Sequence, residues 1–184
     1  MYNERQSVIG RCKMKNTIIK SVLAVVFGIV IGVFSKWGDV IPGDNLIKYF
    51  GWISTGVIIW LVIGSFLIIK TKNRKEFSIV YSLFMISMLI SYYIFSLFVV
   101  KYLAQRIVMF WIIMFIGSLI LGNIIYGKKN TNLFRILFVL ASIIFLIYDA
   151  IEINGINLKA VIPELLMVIY DLVIISKGIK KAKN

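Results

Sequence analysis

The residues best suited to chemistry in this 184-residue sequence are its carboxylates. Only eight Asp and Glu residues occur, and four of them lie close together near the end of the chain: Asp149, Glu152, Glu164 and Asp171. A charged side chain among apolar groups is costly, so it usually faces protein or water. Asp171 has apolar residues on both sides. It is therefore a candidate cation or proton site, or the partner of Arg135 in a structural ion pair.

A cluster of acidic residues is predicted at the other end of the two apolar segments that contain Asp149 and Asp171. Asp149 and Glu164 should lie at similar depth there, with Trp37 and Asp39 in a Gly-containing loop at 36–45 that could cover them. Such an acidic, aromatic-edged mouth would select a cationic or zwitterionic solute. The alternatives are a plain solvated loop and, for Glu164 after Pro163, a role in starting a helix.

Composition excludes most catalytic and metal chemistry. The absence of His removes imidazole-based hydrolysis, and the single Cys12 permits neither an internal disulfide nor a multi-Cys metal site. Tyr-Asp occurs at 148–149 and 170–171, as in intramembrane aspartyl proteases, but their Gly-x-Gly-Asp motif is missing. The two Asp residues would also lie about 12 Å apart along the membrane normal, whereas a shared-proton dyad needs contact. We expect no catalytic residue, no metal and no cofactor.

The elements that must position these residues are six apolar stretches. The sequence is 60% apolar and 16% charged, with a mean hydropathy of +0.94, which a water-soluble domain of this size could not bury. A membrane-crossing helix needs about 20 mostly apolar residues. The stretches that qualify are 17–35, 49–69, 77–100, 107–126, 133–151 and 160–176. We predict an all-α polytopic membrane protein, with one integral membrane domain over 1–184 that forms a six-transmembrane-helix bundle.

Basic residues predict the orientation of this bundle. The 21 Lys and Arg residues give a formal charge of +13, and sixteen of them lie on one side of the predicted spans. The positive-inside rule then makes both termini cytoplasmic. The excess charge serves topology and attraction to anionic headgroups of the lipid bilayer, so no nucleic-acid partner is expected. Abundant Ile and scarce Ala indicate an AT-rich bacterial genome and hence a bacterial plasma membrane.

The first span follows a basic leader, and two features of it carry expectations. We interpret it as a retained signal-anchor, with a cleaved signal peptide as the alternative. Ala24, Gly28 and Gly32 recur at four-residue spacing and form one stripe of small residues, which allows close helix packing. We expect packing within the chain; the alternative is a second membrane protein bound through span one. Deeper in the bundle, Trp60 and Trp111 are candidates for lining an internal cavity.

Short motifs carry two resemblances. Ser-Lys-Trp-Gly-Asp at 35–39, Tyr92-Tyr93 and Phe110-Trp111 resemble an uncharacterised family of small multi-span bacterial membrane proteins, a domain of unknown function, over residues 20–126. That resemblance implies no known activity. The size, span count and small-residue first helix are also similar to substrate-binding subunits of energy-coupling-factor vitamin transporters. Their first-helix Ala-x-x-x-Ala motif meets the coupling subunit, but this sequence has only a loose substitute and no vitamin-specific motif.

Two functional hypotheses follow. The first is a recognition or transport component for a small cationic or zwitterionic solute, which would bind at the acidic mouth, with Asp171 as a deeper coupling carboxylate. The alternative is a non-catalytic accessory or immunity membrane protein that acts through a partner membrane protein. An enzyme ranks third, because no motif marks one.

Overall fold

The structure is a computed structural model that describes residues 2–41, 57–101 and 105–127, with nine isolated residues beyond them (140, 143, 144, 147, 165, 166, 168, 169 and 173). Four α-helices make up the continuous ranges: α1 (Tyr2–Val40), α2 (Val57–Lys70), α3 (Arg74–Phe95) and α4 (Gln105–Tyr126). A π-helical turn, Ser96–Val100, continues α3. These ranges contain no strand, so the all-α prediction is confirmed for them.

Three of these segments are long and apolar enough to cross a membrane. They are Asn16–Gly38, Arg74–Val100 and Val108–Tyr126, with mean hydropathies of 2.4, 2.2 and 2.3. α2 covers the second predicted span from residue 57 and ends one residue beyond it. The spans predicted at 133–151 and 160–176 fall outside the continuous described ranges. The described residues therefore have the architecture of a transmembrane protein, with three apolar helices long enough to span a bilayer.

α1 extends further than its sequence predicts. The loop expected to begin at Lys36 is helical through Val40. The Ile41 N–H donates to the Trp37 carbonyl oxygen at 3.2 Å, and the Trp37 ring lies 5.7 Å from that of Phe34. These contacts continue the helix, so the loop prediction is wrong for residues 36–40. Residues 42–45 of that loop lie outside the described ranges.

The start of α3 is set by a side-chain cap. The Asn73 side chain accepts a hydrogen bond from the Glu76 N–H at 2.8 Å, and the Glu76 carboxylate accepts one from the Lys72 N–H at 2.7 Å. This reciprocal arrangement resembles a capping box and satisfies N–H groups that a helix start leaves free. The short connection at 71–73 therefore turns the chain sharply from α2 into α3.

Contacts between helices establish their directions. Lys20 contacts Glu76 and Lys36 contacts Tyr92, and the two residues of each pair are 56 positions apart. A constant separation means that α1 and α3 run parallel. α4 runs antiparallel to α3, because Ser78 bonds Asn123 whereas the later Tyr81 bonds the earlier Ser118.

α2 runs opposite to α3. The Trp60 ring lies 6.4 Å from that of Phe84, well along α3, while the chain just after α2 lies at the start of α3. The four described helices therefore alternate in direction along the chain. One level of the bundle, around Glu76 at the start of α3, carries Lys20 from within α1, Lys70 at the end of α2 and Lys72 in the connection that follows. We call this level the basic end of the bundle.

Aromatic residues form the centre of the bundle. Phe77 is 1% exposed and stacks on Tyr81 with ring centroids 5.5 Å apart. The Tyr126 ring lies 5.9 Å from Phe77, and its hydroxyl donates to the Thr71 carbonyl oxygen at 2.8 Å. A Cβ on Gly122 would lie 2.7 Å from Phe77 Cζ, so only glycine allows α4 to approach this closely. The outward faces of the helices are mostly apolar, as lipid contact requires.

Candidate ligand site

The residues predicted to bind a ligand are mostly beyond the described ranges. Trp37 lies near the end of α1 and is 41% exposed. Asp39 follows two residues later in the same helix, and its side chain is not described. Asp149, Glu164 and Asp171 lie outside the described residues. The acidic mouth therefore stays a prediction.

Arg135 also lies outside the described residues, so the predicted Arg135–Asp171 ion pair is likewise a prediction that the structure does not test. No group of three or more metal-ligating side chains occurs in the part of the chain that the structure describes.

The small-residue stripe of α1 faces α3. Gly28 and Gly32 are buried. A Cβ on Gly28 would lie 2.5 Å from the Phe84 carbonyl oxygen and 3.2 Å from the Met88 nitrogen. A Cβ on Gly32 would meet the Met88 carbonyl oxygen in the same way. The backbones of α1 and α3 therefore approach so closely that a side chain at either glycine would clash with α3.

Two serines of α3 complete this contact. Ser87 and Ser91 face Gly28 and Gly32 respectively. Their hydroxyls donate to the carbonyl oxygens of Phe84 and Met88 at 2.9 and 3.0 Å, one turn earlier in α3. Each hydroxyl thus has a hydrogen-bond partner in its own helix and needs none from α1 or from lipid.

A partly buried ion pair joins the same two helices at the basic end. Lys20 Nζ lies 2.8 Å from Glu76 Oε1, with side-chain exposures of 27% and 5%. Lys20 also donates to the Lys70 carbonyl oxygen at 3.2 Å, while the Lys72 N–H binds the second carboxylate oxygen. Both oxygens of Glu76 are therefore occupied, as burial of a carboxylate demands.

Sequence reasoning missed this ion pair, although two signals for it exist. Lys20 lies inside a predicted span and needs a counter-ion. Glu76 follows Asn73 at the spacing of a capping box, immediately before the third span.

A cavity of about 490 Å³ lies between α1, α2 and α3, and we call it the inter-helix cavity. Lys20, Lys70 and Thr71 bound it at the basic end. The Lys70 ammonium group lies 5.7 Å from the centroid of the Phe66 ring, which also lines the cavity. The remaining lining residues are apolar: Leu23, Ala24, Phe27, Ile31, Ile63, Leu67, Val80 and Phe84.

The two tryptophans that are candidates for lining an internal cavity pack against each other. The ring centroids of Trp60 and Trp111 are 5.5 Å apart, and neither residue lines the inter-helix cavity. The Trp60 indole N–H is buried and makes no hydrogen bond with the residues that the structure describes. It is an unsatisfied donor in the centre of the bundle.

Comparison with known proteins identifies no relative. No family model, curated protein or solved structure matches this chain. The resemblances drawn from its short motifs therefore stay predictions, and functional inference has to start from the geometry. Within the described residues, that geometry includes the Lys20–Glu76 ion pair and an apolar cavity with a cationic end.

Proposed function

We propose that this chain is an integral membrane protein of a bacterial plasma membrane, which crosses the bilayer six times with both termini cytoplasmic. Three apolar helices of spanning length support the membrane placement. The alternating directions of α1 to α4 support successive crossings. The concentration of lysines at the basic end supports a cytoplasmic location for that end.

Reporter fusions test this topology. A reporter inserted after Lys101, at the opposite end of the bundle, should be active only outside the cytoplasm. A reporter after Asn184 should be active only inside. An external signal from the second fusion would refute the proposed orientation.

For activity, we propose recognition or transport of a small cationic or zwitterionic solute. The observation that carries this proposal is the distribution of the eight carboxylates between paired and unassigned positions. Glu76 is the one carboxylate whose side chain the structure describes, and the Lys20 ion pair occupies it. A cation site must therefore draw on other carboxylates, and half of all eight lie in the last predicted hairpin. Asp171 is the deepest of these in the predicted topology.

Thermal unfolding of the purified full-length protein tests the proposal. The wild type is screened in detergent against quaternary ammonium compounds, polyamines and zwitterionic amino acids. We expect one compound to raise the melting temperature of the wild type and of Glu4→Gln, a control that removes a carboxylate near the start of α1. Asp171→Asn should lose that increase, since its neutral amide no longer attracts a cation.

Either of two kinds of result would refute this role: a negative outcome of the solute screen, or evidence for the ion pair. One is equal stabilisation of the wild type and Asp171→Asn by the compound, or no stabilisation by any compound. The other is a lower melting temperature of Asp171→Asn without solute that Arg135→Gln restores, because this pattern indicates the structural ion pair instead.

Packing within the chain favours this proposal over the accessory one. In an accessory protein that binds its partner through span one, Gly28 and Gly32 would have to face that partner. In the structure both glycines lie against α3. A partner would therefore have to displace α3 or use another face of α1.

A further inference from the structure

We propose that the inter-helix cavity binds one acyl chain of an anionic phospholipid, with the lipid phosphate beside Lys70. The inference rests on the proposed membrane placement but not on the proposed solute. It follows from the length, lining and charge of the cavity.

The length of the cavity matches one membrane leaflet. Its lining on α1 extends from Lys20 to Ile31, which is about 16 Å at 1.5 Å per helical residue. The hydrocarbon core of a bilayer is about 30 Å thick, so the cavity covers about one leaflet. Its volume of about 490 Å³ falls in the range of ordinary small-ligand pockets.

The lining separates an apolar body from a charged end. Beyond the basic end, every lining residue is apolar, so an acyl chain would leave no polar group unsatisfied there. A charged or strongly polar solute would lose its hydration in this part of the cavity without gaining hydrogen bonds. An amphiphile with its head at the lysines fits both regions.

The charge at the basic end favours an anionic head. Glu76, the one described carboxylate, is bound by Lys20. Lys70 makes no ion pair with any residue whose side chain the structure describes, and its ammonium group lies over the Phe66 ring at the edge of the cavity. Lys72 is exposed on the adjoining connection. Basic pockets between membrane helices at the cytoplasmic surface bind anionic lipid heads in this way.

Native mass spectrometry of the full-length protein in detergent tests the proposal with two added lipids of equal chain length. We expect phosphatidylglycerol to be retained and phosphatidylcholine to be retained much less. Lys70→Gln should weaken retention of phosphatidylglycerol about fivefold, the effect of one lysine near an anionic surface. Lys101→Gln, which removes an exposed lysine at the other end of the bundle, should retain it as the wild type does.

A second pair of variants tests the acyl-chain position. Leu23 lines the cavity and is 50% exposed, whereas the adjacent Val22 is 58% exposed and does not line it. Leu23→Trp should obstruct the cavity and reduce retention, while Val22→Trp should not. Both side chains are half-exposed on one helix, and melting temperatures without added lipid verify that both variants fold.

Three outcomes would overturn the proposal. These are equal retention of the two lipids by the wild type, equal loss in Lys70→Gln and Lys101→Gln, or equal retention by Leu23→Trp and Val22→Trp. Because retention is measured in detergent, it is independent of solute uptake and of the side on which the termini lie. Failure of the solute proposal would therefore leave this test intact.

Discussion

Replacing Gly28 with alanine should destabilise the contact between α1 and α3. The added Cβ would lie 2.5 Å from the Phe84 carbonyl oxygen, whereas ordinary contact begins at 3.4 Å. The Ser87 hydroxyl also lies in the way, but the carbonyl oxygen belongs to the backbone and cannot rotate aside, so α1 must move away by about 0.9 Å. Overpacking of this kind costs about 1–3 kcal/mol. The free energy of unfolding can be measured in mixed micelles with increasing sodium dodecyl sulfate.

Gly117→Ala is the matched control for this change. Gly117 lies in the interior of α4, and a Cβ there meets nothing within 4 Å. Alanine should stabilise α4 by about 0.5–1 kcal/mol, since glycine loses more backbone freedom on folding. The two identical substitutions should thus change stability in opposite directions. If Gly28→Ala were as stable as Gly117→Ala, the close approach of α1 to α3 would be refuted.

Three further substitutions probe the ion pair, the helix cap and the unsatisfied donor. Glu76→Gln should reduce the unfolding free energy by about 3 kcal/mol because it leaves Lys20 without its counter-ion, and the double variant with Lys20→Met should recover part of that loss. No recovery in the double variant would contradict the pairing. Asn73→Ala should cost about 1 kcal/mol and Asn73→Asp much less, since aspartate also caps; equal losses would exclude the cap. Trp60→Phe should cost about 1–2 kcal/mol, because it removes part of a buried ring that packs on Trp111, while loss of the indole N–H adds no further cost; a loss as large as the about 3–5 kcal/mol of a complete ring deletion would contradict this. Chemical denaturation in micelles measures all three.

Hydropathy alone predicts the helices well, because long apolar runs leave no other way to satisfy the backbone in lipid. Hydropathy predicts the first and last residues of these helices less well. α3 begins at Arg74 rather than Phe77 because Asn73 caps it, and hydropathy does not register a cap. α1 continues past Ser35 to Val40 despite the turn-forming residues in this stretch, and the Phe34 and Trp37 rings pack together there.

Helix neighbours are harder to predict than helix positions. The spacing of Gly28 and Gly32 marks a packing face, but many surfaces can accept such a face. In α3, Ser87 and Ser91 have the same four-residue spacing and lie against Gly28 and Gly32. Their spacing alone does not reveal that the serines pack against the glycines; the fold does. For the predicted acidic mouth, the sequence gives the residue types and an expected depth, and the relevant side chains lie beyond the described ranges.

The parallel pairing of α1 and α3 has a consequence for biogenesis. Glu76 follows Lys20 by 56 residues, so at about 5–20 residues per second the ribosome needs about 3–11 s to supply it. Throughout that interval α1 has neither its counter-ion nor the backbone that covers its glycines. The contacts that hold α1 in the bundle therefore cannot form until the third helix has been synthesised.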